Sequence, residues 1–469
     1  MGILPRRLIC LSTKLTVMFN FKTLKLTKRC DSESTNSFVG IRRNENGEVE
    51  FRLPHGFDDF PKDDFDATKE LFFKMYRTFK KFERDNWRQN ILDPRSNGKD
   101  QIQKEKDGYR FKNKEDNDVV LYSKIALIEN LLDVYRDLAL DQMERRIGAD
   151  EKVDYSKIDR YLDRAIYLAG DVIYIDEMDL PRQTLRYEST TLIDLFCFIV
   201  SELQNELAHD IEPRVQELAH RFSEQHLSHE ESLFNEETFE TTIRTLKGVL
   251  DDIDKRTAYK DEDYWRLYEA IETFLYGELD MDNPHEDGTF WGISNFSSVW
   301  EDMCATWMFA SSITMKWSVL YADSNISFSG ERIANAKSAG YFPIYKHPDF
   351  VDPFFIDFRG KKRWIRPDFV LADTDGDLTI FDWKYMDENS FIFWNKKIHT
   401  DATKQLCYEL VLKKSTKAIS IESQFVIPSF RENSDYLDNK KLHPRLENNK
   451  LKVFNADFSE VQFVYLTHD

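Results

Sequence analysis

Two stretches of the chain alternate apolar and polar residues with the period of a strand, and most of the sequence between them follows the period of a helix. In the last third, the β-rich runs Trp364 to Ala372 and Leu378 to Tyr385 flank the polar segment Asp373, Thr374, Asp375, Gly376, Asp377, which predicts a hairpin turning about Asp375. Symmetric pairing about that residue sets Asp368 opposite Asp382. The earlier stretch, Ser37 to Phe57, predicts a second hairpin, with Val39, Ile41, Val49 and Phe51 alternating on either side of an Asn46-Gly47 turn.

The helical pattern is clear in Asp66 to Asn86, where Leu71, Phe72, Met75, Phe79 and Phe82 form one stripe, and in Thr190 to Leu207, which is apolar enough for a core. Helices are also expected over Val119 to Ile147, Ile158 to Ala169 and much of His209 to Gly277. Ser297 to Met315 predicts an amphipathic helix capped by Ser297 or Ser298, its apolar side carrying Trp300, Cys304, Trp307 and Met308. Asp401 to Lys414 predicts another, with Leu406 and Leu410 at helical spacing and Gln405 and Tyr408 on one face. Strands are expected at Val172 to Ile175, Ile419 to Pro428, Val453 to Phe454 and Val461 to Leu466. Pro94 to Asn117 has almost no apolar residues and has the composition of a loop or linker.

This pattern is that of an α+β multidomain chain: a basic, flexible tail over 1–36, a small β element and helical region over 37–290 suited to a target or partner, and an α/β domain over 291–469. Charge sharpens the division. The formal net charge is -19, yet 1–30 carries seven basic residues and no acid, 331–469 is balanced, and the excess of acid falls on 31–330. An acidic middle suits a protein partner better than a nucleic acid. Lysines interrupt the apolar residues of the first segment, which makes it a poor secretory signal and leaves a loose tail or a leader ahead of a later start at Met18. Five cysteines without CxxC spacing suit reduced thiols in a cytoplasm, and no apolar run is long enough to span a membrane.

The chemistry gathers on the later hairpin. Asp382 and Lys384 project from one face of their strand beside Asp368, and two facing carboxylates in a half-buried ladder are costly unless a cation sits between them. Hard oxygen donors select Mg2+, with Mn2+ as a substitute, and such an ion keeps waters and binds phosphate. Lys384 then has a task of its own, orienting an attacking water and balancing charge at phosphorus. Lys361, Lys362, Arg363 and Arg366 crowd beside this site and suit phosphate contacts or, equally, a protected strand edge. His220, His226 and His229 lack acid or Cys partners at ligand spacing, so a polar helix face is expected there. The sequence contains no Walker A, GxGxxG or GxSxG pattern.

Pro367-Asp368 followed by Asp382-Trp383-Lys384 is similar to the signature of the PD-(D/E)XK nuclease superfamily. The resemblance implies a C-terminal α/β restriction-endonuclease-like core of order α-β-β-β-α-β. It implies metal binding by Asp368 and Asp382, with Glu301 of the preceding helix completing the metal shell. Gln405 and Tyr408 would orient the scissile strand, although they stand three apart where many members have four. Phe38-Val39-Gly40-Ile41, the turn, and Leu53-Pro54-His55-Gly56-Phe57 resemble the opening of the LlaJI family of restriction endonucleases, relatives of McrC subunits. That resemblance implies a DNA endonuclease subunit of a bacterial restriction or antiphage system, acting on double-stranded DNA with a separate AAA+ GTPase of McrB type. A repair or transposition nuclease of the same fold, and a non-cleaving adaptor that binds DNA or regulates a motor, are the alternatives.

Overall fold

The computed structural model describes residues 37–92, 103–137, 189–276, 289–322, 355–393 and 396–468 apart from short breaks within these ranges, together with pieces of 21–27 and 151–184. The chain divides into two compact units, one of 1–20 and 126–280 and the other of 21–125 and 281–469. These units cut the chain differently from the expected division at 290, because elements near both ends of the sequence share one unit. Most of the expected tail over 1–36 lies outside the described residues.

The larger unit holds two mixed sheets. Strands β1 (Lys25–Thr27), β2 (Val39–Arg43) and β3 (Val49–Arg52), helix α1 (Phe65–Leu92), and strands β4 (Gln103–Lys104), β5 (Tyr109–Lys112) and β6 (Asp118–Tyr122) come first. The chain leaves the first sheet after β6 and re-enters it at β11 (Thr289–Ile293), giving the order β1-β3-β2-β11-β6-β5-β4. The junction between β2 and β11 depends on glycine. Gly40 pairs with Gly292, both at positive φ, and a Cβ on Gly40 would fall 2.2 Å from the Trp291 carbonyl oxygen. The expected hairpin over 37–57 forms as β2–β3. Two expectations change here. Part of Pro94 to Asn117 is strand, with Tyr109 paired to Leu121 and Phe111 to Val119. Val119 to Tyr122 is strand rather than the start of a helix, because it is held between β5 and β11.

The smaller unit is mainly helical. It contains α2 (Ala126–Asp137), α3 (Ser189–Glu206), α4 (Pro213–His226), α5 (Phe239–Arg256) and α6 (Glu262–Tyr276). The strands β7 (Glu151–Val153), β8 (Ile166–Leu168), β9 (Val172–Tyr174) and β10 (Arg182–Thr184) pair in twos, β7 with β10 and β8 with β9. Ile166 to Leu168 was expected to be helical; it pairs instead with β9, the strand expected from Val172. Helix α3 is the core element foreseen, with Leu192, Leu195, Phe196, Ile199, Val200 and Leu203 all buried. Asp194 on this helix receives a bidentate contact from Arg221 of α4, Nε lying 2.7 Å from Oδ2.

The second sheet of the larger unit follows α7 (Ser297–Met315). Its strands are β12 (Ser318–Ala322), β15 (Phe369–Ala372), β16 (Leu378–Trp383), β17 (Ile421–Ser429), β18 (Asp435–Tyr436) and β19 (Lys452–Asp457), in the order β12-β15-β16-β17-β19-β18. A separate pair, β13 (Phe355–Phe358) and β14 (Lys361–Trp364), lies between β12 and β15 in sequence. Helices α8 (Asn389–Ile392) and α9 (Lys396–Ser415) separate β16 from β17, and α10 (Phe458–Thr467) closes the chain. From α7 onward, leaving aside the small β13–β14 pair and α8, the order is α-β-β-β-α-β, with β16 and β17 parallel.

Helix α10 replaces the strand expected over Val461 to Leu466. Its β-branched and aromatic composition suggested a strand, but Asp457 caps the first turn by accepting from Ser459 N at 2.9 Å, and Phe458, Val461, Gln462 and Tyr465 are buried at helical spacing. Trp300 of α7 stacks on Phe458 at 5.8 Å between ring centroids, and Tyr465 Oη donates to Asp302 Oδ2 at 2.8 Å. On α7 itself, Ser297 N and Oγ both donate to Asn295 Oδ1, so Asn295 provides the side-chain acceptor expected of Ser297 or Ser298.

Candidate metal centre

The register of the later hairpin follows from its turn. Gly376 takes φ of 86°, which suits the tight reversal, while Asp373 Oδ1 accepts from the backbone N–H groups of Asp375 and Asp377 at 2.9 Å. Phe369 then pairs with Phe381 and Ala372 with Leu378, so one further step along the register sets Asp368 opposite Asp382. Asp368 lies just before β15, and its Oδ2 accepts from Trp383 N at 2.9 Å. Its side chain therefore occupies the end of the ladder. The strand beyond Trp383 stays anchored because Lys384 N donates to Val426 O at 2.9 Å.

Side-chain alternation sorts this strand end. Trp383 is 2% exposed and packs with Phe369 and Phe381, while Asp382 and Lys384 turn to the other face. There Lys384 Nζ lies 2.8 Å from Asp382 Oδ2. Burial pushes the Asp382 carboxyl up to about 8; Lys384 draws it back, and Asp368 adds to the rise through its charge and a shared hydrogen bond. Burial would lower the Lys384 ammonium, but the carboxylates of Asp382, Asp401 and Asp368 reverse this, so Lys384 is a cation. Two acids and one buried lysine thus face one another, and the acids outnumber the base.

Helix α9 packs on β16 and β17 and adds the next residues. Asp401, Gln405, Tyr408 and Leu412 form its buried stripe, while Leu410, noted at helical spacing from Leu406, is 60% exposed. Gln405 is fully buried, and neither amide atom has a hydrogen-bond partner among the described residues. Burial, with the charges of Asp382 and Asp368 in support, raises the Tyr408 phenol far above its ordinary range. The helix therefore turns Gln405 and Tyr408 to one side, as their spacing predicts, with Tyr408 in the field of the carboxylate pair. Asp401 was not singled out from the sequence, although it precedes Gln405 by one turn. Its Oδ2 lies 3.6 Å from Lys384 Nζ and its Oδ1 3.2 Å from Lys404 Nζ.

Glu301 is half-buried on α7, one turn before Cys304, and α7 packs against β16. Burial drives the Cys304 thiol well up, with Glu301 and Asp368 adding to the effect, so both acids border the same thiol. Among the described residues, however, no three His, Cys, Asp or Glu side chains are grouped closely enough to hold a metal by themselves. Asp368 and Asp382 are the carboxylates brought together; Glu301 does not join them as a third close ligand. Strand β14 carries Lys361, Lys362 and Arg363, but their side chains and the whole of Arg366 lie outside the described residues.

Two carboxylates that meet at a buried strand end, with the Asp382 carboxyl held above its usual range, are donors of the kind through which Mg2+ binds while retaining water.

A further contact reaches the site from the first hairpin. Beyond β3, His55 N donates to Tyr385 Oη at 3.0 Å and the two rings lie 4.5 Å apart, immediately after Lys384 in the chain. Gly56 O accepts from Phe430 N at 2.9 Å, and a Cβ on Gly56, whose φ is +82°, would fall 2.3 Å from the Pro428 carbonyl oxygen. Phe57 stacks on Phe430 at 4.8 Å. The segment from His55 to Phe57 thus packs on Tyr385, the residue after Lys384, and on the end of β17, a contact that no local pattern in the sequence reveals.

The histidines of the smaller unit remain apart from such chemistry: His220 pairs with Glu224 on an exposed helix face and His226 lies 4.9 Å from the Phe222 ring. No described helix is long and apolar enough to cross a membrane.

No family model matches this chain, and no curated protein matches it. Among solved structures, it is similar to a chain of the half-complex from a tetradecameric assembly of Thermococcus gammatolerans McrB AAA+ hexamers with bound McrC, at 11% identity and a TM-score of 0.24, over 92% of this chain and 82% of that one. A likeness at that score does not fix the fold.

Proposed function

We propose that this chain is a Mg2+-dependent DNA endonuclease subunit of a restriction or antiphage system. The observation that carries the reading is the convergence of Asp368, Asp382 and Lys384 at the end of one hairpin, with Lys384 Nζ 2.8 Å from Asp382. The order α-β-β-β-α-β and the buried Gln405 and Tyr408 support a core of the PD-(D/E)XK kind.

Asp368 and Asp382 would hold the ion, and Mn2+ would serve in its place. When bound, such an ion supplies an activated water and withdraws charge from the phosphoryl oxygens. Lys384, held as a cation beside the carboxylates, orients the attacking water and neutralises charge as it grows on phosphorus. Gln405 offers both a donor and an acceptor, neither used among the described residues, to a phosphate or its water. Tyr408, kept protonated by burial, donates a hydrogen bond. Double-stranded DNA is the substrate in this reading. The partnership with an AAA+ GTPase rests on the sequence resemblance to LlaJI and McrC proteins.

The test is cleavage of phage-derived and host-derived duplex DNA with Mg2+ or with EDTA. The full chain is assayed alone and with any AAA+ protein encoded beside it, as wild type, Asp382→Asn and Lys384→Ala. Metal-dependent cutting by wild type and its loss in both variants is the expected result. Equal cutting by either purified variant would refute the site. No cutting under any pairing, with undiminished binding to the AAA+ protein, would favour the adaptor.

A further inference from the structure

We infer that Asp401 is a positioning residue, a second acceptor that draws Lys384 away from Asp382 when a divalent cation occupies the carboxylate pair. This rests on the metal-centre reading above. Lys384 Nζ lies between two carboxylates, 2.8 Å from Asp382 Oδ2 and 3.6 Å from Asp401 Oδ2. The closer contact is made with a residue that would also hold the ion. An ammonium and a divalent cation compete for the same carboxylate, so metal entry displaces Lys384 unless another anion receives it. A buried ammonium deprived of its counter-charge is strongly disfavoured.

Asp401 meets the requirement. It is 4% exposed, and its Oδ2 makes no hydrogen bond among the described residues, whereas its Oδ1 is engaged by Lys404 at 3.2 Å. The open oxygen is the one facing Lys384. Helix α9 fixes the distance by packing on β16, the strand that carries Asp382, so a short movement of a flexible lysine tip suffices and no backbone need shift. Gln405, one turn further along α9, is neutral and cannot replace the charge. Asp401 therefore keeps Lys384 at the site while releasing Asp382 for the ion.

The test follows Mn2+ binding by the full chain without DNA, using thermal shift and the electron paramagnetic resonance signal of free Mn2+. Wild type is compared with Asp401→Asn, Lys384→Ala, the double variant, and Asp382→Asn. With Asp401 neutral, Lys384 stays on Asp382, and Mn2+ affinity falls by about tenfold, the lower end of what outer-shell partners contribute. Lys384→Ala removes the competitor and binds Mn2+ at least as tightly as wild type. The double variant follows Lys384→Ala, a result that simple damage to α9 would not give. Wild-type affinity in Asp401→Asn, or equal losses in the single Asp401 variant and the double variant, overturns the inference alone, provided that Asp382→Asn abolishes binding. If wild type takes up no Mn2+, or Asp382→Asn takes it up unchanged, the metal-centre reading falls together with it.

Discussion

The two hairpins of the larger unit each bring ionisable side chains face to face across an antiparallel ladder, but with opposite electrostatic logic. In β2–β3, Arg42 pairs with Glu50 in register and its Nε lies 2.9 Å from Glu50 Oε1. The charges cancel, and a cross-strand pair of this kind contributes about 0.2–1 kcal/mol to the sheet. In β15–β16, continuation of the register opposes Asp368 to Asp382, and the carboxyl of Asp382 is forced up to about 8 by burial and by that neighbour. The first hairpin is complete as it stands. The second opposes two acids, with Lys384 Nζ 2.8 Å from Asp382 as the cation beside them. One ladder balances its charge within the pair; the other carries the excess of acid that more often marks functional sites.

The largest effect that would break this contrast is expected from Asp382→Asn. Cleavage should fall by about two to three orders of magnitude or more, as for removal of a charge-stabilising group from a reaction centre. The unfolding midpoint should hold or rise, because a buried carboxylate facing another is replaced by a neutral amide while Lys384 keeps Asp401 within reach. Cleavage rates and thermal melts on the same preparations measure both. A clear drop in the midpoint would make Asp382 a member of a stabilising ion pair, and the two hairpins would then be alike.

How much of this was legible beforehand depends on whether the signal was local. The register of β15–β16 could be read because Asp373 and Gly376 impose the turn and alternation does the rest, which is why Asp368, Asp382 and Lys384 fell into place together. Helix α7 was read over the observed Ser297–Met315 from its local pattern, but not as the amphipathic helix expected: Met303, Cys304, Ala305, Thr306, Trp307, Met308 and Phe309 are all buried, so core surrounds it there. Strand β5 was missed because only Tyr109 and Phe111 in it are apolar and it is defined by pairing with β6 rather than by its own sequence. Helix α10 was misread where composition outweighed period, although Asp457 followed by Glu460 has the spacing of a capping box. The pairing of Gly40 with Gly292 joins positions far apart in the chain, and nothing local announces it. Asp401 escaped because an acid in a polar helical segment is usually solvated; burial and its distance from Lys384 give it meaning.

The next effect is expected in the first hairpin. Glu50→Gln removes the negative partner from a ladder position that is 6% exposed and leaves Arg42 without its counter-charge. A loss of about 1–2 kcal/mol follows for a hydrogen-bonded, largely buried pair, or a fall of a few degrees in the midpoint of the larger unit. Metal-dependent cleavage measured well below that midpoint should be unchanged. If Glu50→Gln instead abolished cleavage while the midpoint held, the first hairpin would belong to the site as well, an outcome made reachable by the contact of His55 with Tyr385.

The smallest effect should come from exchanging the two charges of the first hairpin, Arg42→Glu with Glu50→Arg. Each single exchange places like charges opposite each other, Glu against Glu or Arg against Arg, and so recreates in β2–β3 the electrostatics of Asp368 and Asp382. The double exchange restores attraction across the same two positions and should return the midpoint to within about 1 kcal/mol of wild type, since directly contacting charges are coupled and the second exchange offsets the repulsion introduced by the first. The remaining difference would come from Arg42, whose guanidinium lies 5.5 Å from the centre of the Phe38 ring, a contact that glutamate cannot make. Chemical denaturation of wild type, both single exchanges and the double closes the cycle. Recovery in the double variant would establish that charge complementarity alone distinguishes the first ladder from the second. Additive losses would mean that shape and burial at Glu50 decide its stability, and the comparison would then rest on packing instead of charge.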